Sequence, residues 1–492
     1  MALGEVTVNR EFEQLLDKVR REGGEIRSDS REVGKGDIFV AVPGVNADGA
    51  RFIPPAVEAG ASTIVCLPGG AEAEAARAAG CTVVHHDDPR EALWRLAEAR
   101  WHTGRLPLRV LGVTGTNGKT TSAYLLEHLF TATGHKVGVL GTVSYRWPGH
   151  CEAAPLTTPD PLRVHAMLAA MAQAGVDIAV MEVSSHALEQ QRVCGVPFAG
   201  ASFSNLTQDH LDFHQDMESY FRAKSRLFLE LPRADKVMAI NGDDPWGRRL
   251  LELCPRALSF GLQKALPQQR HLWGELLSAG TDGCHLRMHL DGQQWELRSP
   301  LVGAFNASNL LSVQALALEL GLMPDDLRHL EDFHGVCGRL ERVPNARKLH
   351  VFVDYAHTPD ALVNVLKALR GAGFKRIVTV FGCGGNRDRT KRPIMGEAVA
   401  RYSDVAVLTS DNPRFEDPEA ILKDVLPGLR EAREVVVEVD RRKATAKAVE
   451  MLGPDDALLI AGKGHEDYQE INGVRYPFLD RAVVEEVVKT LQ

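Results

Sequence analysis

The sequence predicts an α/β protein built from three units, and three observations carry that prediction. Short apolar runs alternate with helical patterns along almost the whole chain, as expected for mostly parallel sheets covered by helices. Several of those runs end in glycine-rich or polar loops, where open α/β sheets hold their ligands. The length, 492 residues, suits about three domains.

Composition narrows the function. With 44% hydrophobic and 25% charged residues, the chain has the make-up of folded globular domains. A net charge of −8 argues against a nucleic-acid partner. No apolar run approaches the roughly 18 residues of a membrane span. The opening "MALGEVTVNREFEQLL" lacks an apolar signal core, and the eight cysteines are scattered without a C-x-x-C pair. The expectation is a cytoplasmic monomer with reduced thiols.

The elements follow in order. Residues 1–105 hold the runs "DIFVAV" and "STIVCL" with the helical patterns "PPAVEAG" and "REALWRLAEARW", a small α/β unit. "HTGRLPLR" is a connector into residues 106–337, where "VLGV", "KVGVLG", "IAVMEV", "AGASFS" and "KVMAIN" alternate with helices. That is the pattern of a doubly wound sheet. Leu286, Met288 and Leu290 alternate, Asp291-Gly292 marks a turn, and Trp295 and Leu297 alternate again, which predicts a β-hairpin. "GRLERVPNARKLH" is a second junction into residues 338–492, a Rossmann-like unit. Its runs "VFVDYAHT", "RIVTVFGCGGNRD", "VAVLTSDNPR", "VVVEVD" and "ALLIAGKGHED" bring Asp354, Asn386, Arg387, Asp411, Arg414, His465 and Glu466 to strand ends. "GCGG" there is no dinucleotide fingerprint.

The sharpest local signal is "LGVTGTNGKTTSAYLLEHLF", residues 111–130. Strand, glycine turn and helix start form a phosphate-binding loop whose N–H groups point at an anion. Lys119 is placed to reach the outer phosphates and Thr120 to offer its hydroxyl to Mg²⁺. The spacing is shortened: Val113 stands where the first glycine is usual, and Gly115 lies three residues before Gly118. Glu182 ends a buried strand in "IAVMEVSSHALEQQR" and suits Mg²⁺ opposite Thr120, or a local capping role. Ser184, His186, Gln190 and Arg192 follow as polar substrate contacts. A Ser-His nucleophile is the competing reading, without a G-x-S-x-G elbow around it. In "SNLTQDHLDFHQDMESYFRAKSRLF", His210 is either a metal ligand or a structural histidine. Lys224 shares a helix face with Tyr220, Phe221, Leu227 and Phe228. An inward lysine has a lowered pKa, and its neutral amine can take up CO₂ to become a carbamate that binds Mg²⁺. The alternative is a lysine that snorkels or contacts phosphate.

"TGTNGKTT", "MEVSSH", "DHLDFH", "YFRAKSRLF", "GAFNASN", "GRLERV", "DYAHTPD" and "DNPR" occur in an order and over a length that resemble the Mur ligase family, its tripeptide-forming members in particular. The shortened loop is that family's own version. The resemblance implies an ATP-dependent amide ligase of peptidoglycan synthesis with two Mg²⁺ ions and a carbamylated Lys224. It implies that Gly115, Thr116, Asn117, Gly118, Lys119, Thr120 and Thr121 hold ATP phosphates. Asn306 and Asn309 would lie near adenine, and Arg339 and Asp354 would close over the nucleotide. Thr120, Glu182, His210 and Lys224 would hold metal. Ser28, Ser30, Val45, Asn46 and Ala47 would contact the uridine-diphosphate side of UDP-MurNAc-L-Ala-D-Glu. Leu156, Thr157, Thr158, Ser184, Gln190 and Arg192 would hold its sugar-peptide side, although Leu156 replaces a residue often polar in relatives. Arg387, Asp411, Asn412, Pro413, Arg414, Gly462 and Glu466 would bind the incoming amino acid, meso-diaminopimelate, with lysine or ornithine as alternatives. Folylpolyglutamate synthetase is a rival disfavoured by the unit preceding the loop. A nucleotide switch is a rival of another class.

Overall fold

The computed structural model describes residues 9–44, 48–264 and 269–490, so the expected uridine contacts Val45, Asn46 and Ala47 lie outside the described residues. The chain divides into two compact units: Met1–Phe260 with Ser312–Leu322, and Gly261–Leu311 with Met323–Gln492.

The first unit opens with a helix, Arg10–Glu22, capped by the Asn9 side chain on Phe12 N, with acids in its first turn and arginines in its last. Sequence patterning placed helices only between or after the strands, so this one goes beyond the expectation. A four-stranded parallel sheet follows, in the order Ile26–Arg27, Ile38–Val40, Thr63–Cys66, Thr82–His85. Its residues alternate between two cores. Ile38, Val40, Val65 and Val84 pack with Phe12, Leu16, Leu93 and Leu96, whereas Phe39, Ile64 and Val83 pack with Ile53, Ala56 and Ala76. Helices on both faces explain why these strands read as continuous apolar runs.

The larger sheet of this unit runs Leu258–Gly261, Pro232–Asn241, Phe198–Phe203, Arg109–Thr114, Ile178–Glu182, Val137–Leu140, all parallel. An antiparallel hairpin, Ser144–Trp147 with His150–Ala153, continues from Val137–Leu140. From Arg109–Thr114 the chain first winds to one side and later returns to pair on the other. The loop after Thr114 therefore sits at a topological switch point, where doubly wound sheets open a crevice.

In the second unit, His271–Gly280, Gly283–Leu290 and Gln293–Ser299 form an antiparallel meander. Its second turn is the expected one: Asp291 (φ 50°) and Gly292 (φ 81°) join Leu290 to Gln293. The six-stranded sheet has the order Glu341–Arg342, His350–Asp354, Asp456–Ala461, Arg376–Phe381, Val405–Leu408, Val435–Val437, parallel except for the first pair. Phe352, Ile377 and Leu459 face the helices Pro359–Gly371 and Lys391–Tyr402. Val353, Val378 and Ile460 face Arg441–Glu450 and Asp480–Thr490. A small hairpin, Tyr468–Ile471 with Val474–Pro477, follows the strand Asp456–Ala461.

Candidate active site

In the first unit the phosphate loop leaves the buried strand Arg109–Thr114 and enters the helix Lys119–Ala132. Gly115 has φ +146°, and a Cβ there would stand 2.0 Å from Ser204 Oγ, so the position admits only glycine. Thr116 N donates to Asn205 O (2.9 Å) and Asn117 N to Asn205 Oδ1 (3.0 Å), which straps the loop to the end of the neighbouring strand. Gly118 has φ +88°, and Thr121 lies in the first helical turn. Lys119 Nζ folds back across the loop and donates to the carbonyls of Gly115 (2.9 Å) and Thr116 (2.8 Å).

Glu182 ends its strand almost fully buried, and three donors converge on it. Thr120 Oγ1 and Thr142 Oγ1 each donate to Oε2 at 2.9 Å, and Thr142 N donates to Oε1 at 2.9 Å. Thr142 is a site residue that sequence reasoning missed. Its only signal was the Gly-Thr pair just past the run "KVGVL". The cluster offers one carboxylate and two hydroxyls, a hard oxygen set that fits Mg²⁺, which keeps waters and takes phosphate oxygens as further ligands.

The helix Met217–Leu229 starts on Asp216, whose side chain caps Ser219 N, and buries Tyr220, Phe221, Lys224, Leu227 and Phe228. Lys224 is 1% exposed, and its Nζ donates to the carbonyl of Gly115 at 2.8 Å, the same oxygen that Lys119 reaches. Burial, and next the charge of Lys119, drive its pKa well below the usual lysine value, against a weaker pull from Asp209. The amine is thus favoured in its neutral, nucleophilic form. A bare amine is a poor ligand for the hard Mg²⁺ ion, which prefers oxygen, so Lys224 would fit that ion better as a carbamate. His210 sits at φ 54° with a half-exposed side chain, 3.4 Å from Asp209 and edge-on to His186 at 4.8 Å.

Thr158 Oγ1 donates to Glu182 O (2.8 Å) and accepts from Ser184 N (3.1 Å), while Arg192 donates to Thr158 O (2.9 Å). Thr157 Oγ1 lies 3.2 Å from Thr142 Oγ1. Ser184 Oγ accepts from Ala187 N (3.2 Å), a helix cap, which argues against a Ser-His nucleophile. Gln190 Oε1 accepts from both Nε (3.1 Å) and Nη2 (2.7 Å) of Arg192. Gln190, Arg192 and Leu156 line a cavity of about 250 Å³ together with Val42, Arg90 and Leu93. Burial lowers the Arg192 pKa. Two arginines, Arg90 and Arg192, and one carboxylate, Asp160, line the cavity, a net positive lining that suits an anionic ligand. Ser28 and Ser30, at the end of the first strand, do not line it.

In the second unit Asp354, Asn386, Arg387, Asp411, Asn412, Pro413, Arg414, Gly462 and Glu466 lie at or just past the carboxyl ends of the parallel strands, whereas Asn306, Asn309 and Arg339 do not. Asp354 is buried and accepts from Leu340 N and Ala356 N (2.7 Å); burial raises its pKa although Arg339 opposes this. The Arg339 guanidinium stacks 4.9 Å from the Tyr355 ring, and His465 lies 5.3 Å from the same ring. Asn306 donates to Val302 O (2.9 Å) and Asn309 to Asn306 Oδ1 (3.1 Å), both buried on one helix. Arg414, at φ 53°, donates from Nη1 to Gly385 O (2.7 Å) and holds Nε 3.8 Å from Glu470. Gly385 N donates to Asn412 O (2.9 Å), and Asn386 Oδ1 accepts from Phe415 N (3.0 Å), so the Arg387 and Pro413 loops are laced together. Arg387 itself is exposed. Asn412 donates to Glu466 Oε2 at 2.8 Å, and Asp411 lies against Gly462. Lys463, wholly buried beneath this group, is the second site residue missed from sequence.

Three family models match the chain: the Mur ligase family catalytic domain over residues 24–101, the Mur ligase middle domain over 113–317, and the Mur ligase glutamate ligase domain over 338–464. A UDP-N-acetylmuramoyl-L-alanyl-D-glutamate–2,6-diaminopimelate ligase of Lawsonia intracellularis is 55% identical over 461 residues, covering 94% of this chain and 95% of the relative. A solved structure of an enzyme with the same name is 33% identical, with a TM-score of 0.69 and 95% of each chain covered. The MurF ligase from Thermotoga maritima in complex with ADP shares the fold at 18% identity, with a TM-score of 0.60 and coverage of 95% of this chain and 99% of that one. Identity of the size seen in the first of these, sustained over almost the whole length, reflects common descent, and the chain belongs to the Mur ligase family.

Proposed function

We propose that this protein is an ATP-dependent amide ligase that joins meso-2,6-diaminopimelate to UDP-MurNAc-L-Ala-D-Glu through an acyl phosphate, in cytoplasmic peptidoglycan precursor synthesis. The observation that carries the reading is the Thr120–Glu182 contact of 2.9 Å beside a buried Lys224 on the Gly115 carbonyl. That arrangement supports phosphoryl transfer, and the identity to the Lawsonia enzyme supports the substrates.

A carboxylate is a poor acylating agent, and phosphorylation by ATP activates it. That transfer needs charge neutralisation and alignment more than a base. The loop from Gly115 to Thr121 holds the phosphates with its N–H groups, and Lys119 leaves its carbonyl partners to reach the outer phosphates. Thr120, Thr142 and Glu182 would hold one Mg²⁺, and His210 with the Lys224 carbamate a second. The ions supply positive charge to the phosphate oxygens. Arg192 and Gln190, with Thr157, Thr158 and Ser184, orient the glutamyl carboxylate of the UDP-linked substrate; Leu156 offers apolar contact, and Ser28, Ser30 and residues 45–47 take the uridine side. Asn306, Asn309, Arg339 and Asp354 serve the nucleotide. Arg387, Asp411, Asn412, Pro413, Arg414, Gly462 and Glu466 bind the amino acid, whose neutral amine attacks the acyl phosphate once held within reach. Phosphate leaves and the amide remains. The corresponding domains are residues 1–105, 106–337 and 338–492, and the working form is a monomer.

The test is direct. The protein is incubated with ATP, Mg²⁺ and UDP-MurNAc-L-Ala-D-Glu, offered diaminopimelate, lysine or ornithine, and the product is weighed. Phosphate release that depends on both substrates, with the diaminopimelate adduct as the product, is expected. Release indifferent to them identifies a nucleotide switch instead, and a lysine or ornithine adduct corrects the specificity alone.

A further inference from the structure

We infer that Lys463 is the positioning residue of the amino-acid pocket: it fixes the Glu466 carboxylate and the Asn412 amide in the one arrangement that leaves a carboxylate oxygen and an amide N–H for the incoming amino acid. The inference rests on the reading of this pocket given above.

Lys463 stands between Gly462 (φ +114°) and Gly464 (φ +53°). A Cβ on Gly462 would lie 2.4 Å from Asp411 Oδ2, and one on Gly464 2.7 Å from Tyr355 Cβ. The two glycines let the backbone pass this close, and the lysine between them turns wholly inward, with 0% exposure. A buried ammonium needs a countercharge and acceptors for its N–H groups. Nζ finds both, donating to Glu466 Oε2 (3.0 Å) and Asn412 Oδ1 (3.0 Å).

The geometry beyond these two bonds makes Lys463 more than a filled core position. Asn412 Oδ1 also accepts from Glu470 N (3.0 Å), so two donors hold the amide oxygen and a flipped amide would face both of them with N–H groups. Asn412 Nδ2 is therefore forced toward Glu466, where it donates to Oε2 at 2.8 Å. Oε2 thus takes two donors. Among the described residues no donor reaches Oε1, and Glu466 keeps 20% exposure. One oxygen is anchored and the other is presented, the arrangement needed to receive a substrate ammonium at a defined angle. Lys463 itself is too deep to touch substrate and acts through these two residues.

Two variants test this: Lys463→Met, which keeps length and loses charge, and Lys463→Arg, which keeps charge but places a larger planar head in a closed site. For Lys463→Met the KM for diaminopimelate is expected to rise at least about tenfold. The KM values for ATP and the UDP-linked dipeptide, and kcat at saturating diaminopimelate, should stay within about twofold. For Lys463→Arg the same one-substrate rise of about threefold or more is expected, and this variant decides the matter if Lys463→Met does not fold. An unchanged KM for diaminopimelate in a folded variant overturns the inference, as does a rise shared equally by all three substrates. If the wild-type protein does not ligate diaminopimelate at all, it is the functional reading that fails.

Discussion

Lys224 in the first unit and Lys463 in the second are equally buried, at 1% and 0% exposure, yet they keep different company. Lys224 has a carbonyl for its hydrogen-bond partner and another cation, Lys119, as its main electrostatic neighbour, and its pKa falls well below the usual value. Lys463 lies 3.0 Å from a carboxylate. Burial without a countercharge makes an amine reactive, whereas burial against a carboxylate makes it a strut. On the proposed reading, the same residue type serves chemistry at the phosphate loop and geometry at the amino-acid pocket.

The sharpest way to break this contrast is at the loop. Lys119→Ala removes the charge meant for the outer phosphates, and turnover should fall about a thousandfold or more while the melting temperature barely moves. Normal turnover would mean that the loop does not hold ATP in the way described. Next in size is Lys224→Ala, for which a loss of about a hundredfold is expected, partly restored by added short carboxylates standing in for the carbamate. Depleting CO₂ should lower wild-type activity and leave the variant unaffected. A bare Lys224 amine in a high-resolution structure of the active, metal-loaded enzyme would remove the carbamate from the account.

At the other pocket, Arg414→Ala should raise the KM for diaminopimelate at least about tenfold, the loss of a charge-assisted contact, with ATP binding near normal. In the structure Arg414 Nη1 rests on Gly385 O, so binding exchanges or shares that bond. Retained selectivity for diaminopimelate over lysine in this variant would assign specificity elsewhere. The smallest expected effect is that of Thr142→Val, which deletes one of the hydroxyls on Glu182; kcat should drop about tenfold and the Mg²⁺ concentration for half-maximal activity should rise. An unchanged Mg²⁺ dependence would detach Thr142 from the cluster.

Much of this was legible from local pattern. The strand, glycine turn and helix around Gly115 are contiguous in sequence, and their spacing alone places the N–H groups. The 3.6-residue period put Lys224 on the apolar face of its helix, and Asp291-Gly292 announced its turn because left-handed conformations favour those residues. The N-terminal helix carries Phe12, Leu15, Leu16 and Val19 at the same period, but these are spread among charged residues and form no continuous apolar run. The hairpin at Ser144–Ala153 carries too few apolar residues to show a two-residue alternation, whereas the one at Tyr468–Pro477 has in Asn472-Gly473 (φ 50° and 76°) the same kind of turn signal as Asp291-Gly292.

By itself, then, the sequence determined the α/β class, the phosphate loop, the strand end at Glu182 and the apolar helix face that carries Lys224, since each depends on neighbours a few residues away. Only the tertiary structure decided the company those residues keep. Thr142 reaches Glu182 across 40 residues because Val137–Leu140 and Ile178–Glu182 are adjacent parallel strands that end together. Asn412 reaches Lys463 across 51 residues because the loops that follow Val405–Leu408 and Asp456–Ala461, the strands on either side of Arg376–Phe381, meet at the carboxyl ends of the sheet. Strand order and register bring such pairs together, and no local propensity encodes them, because the free energy that selects the order comes from burying both sheet faces at once.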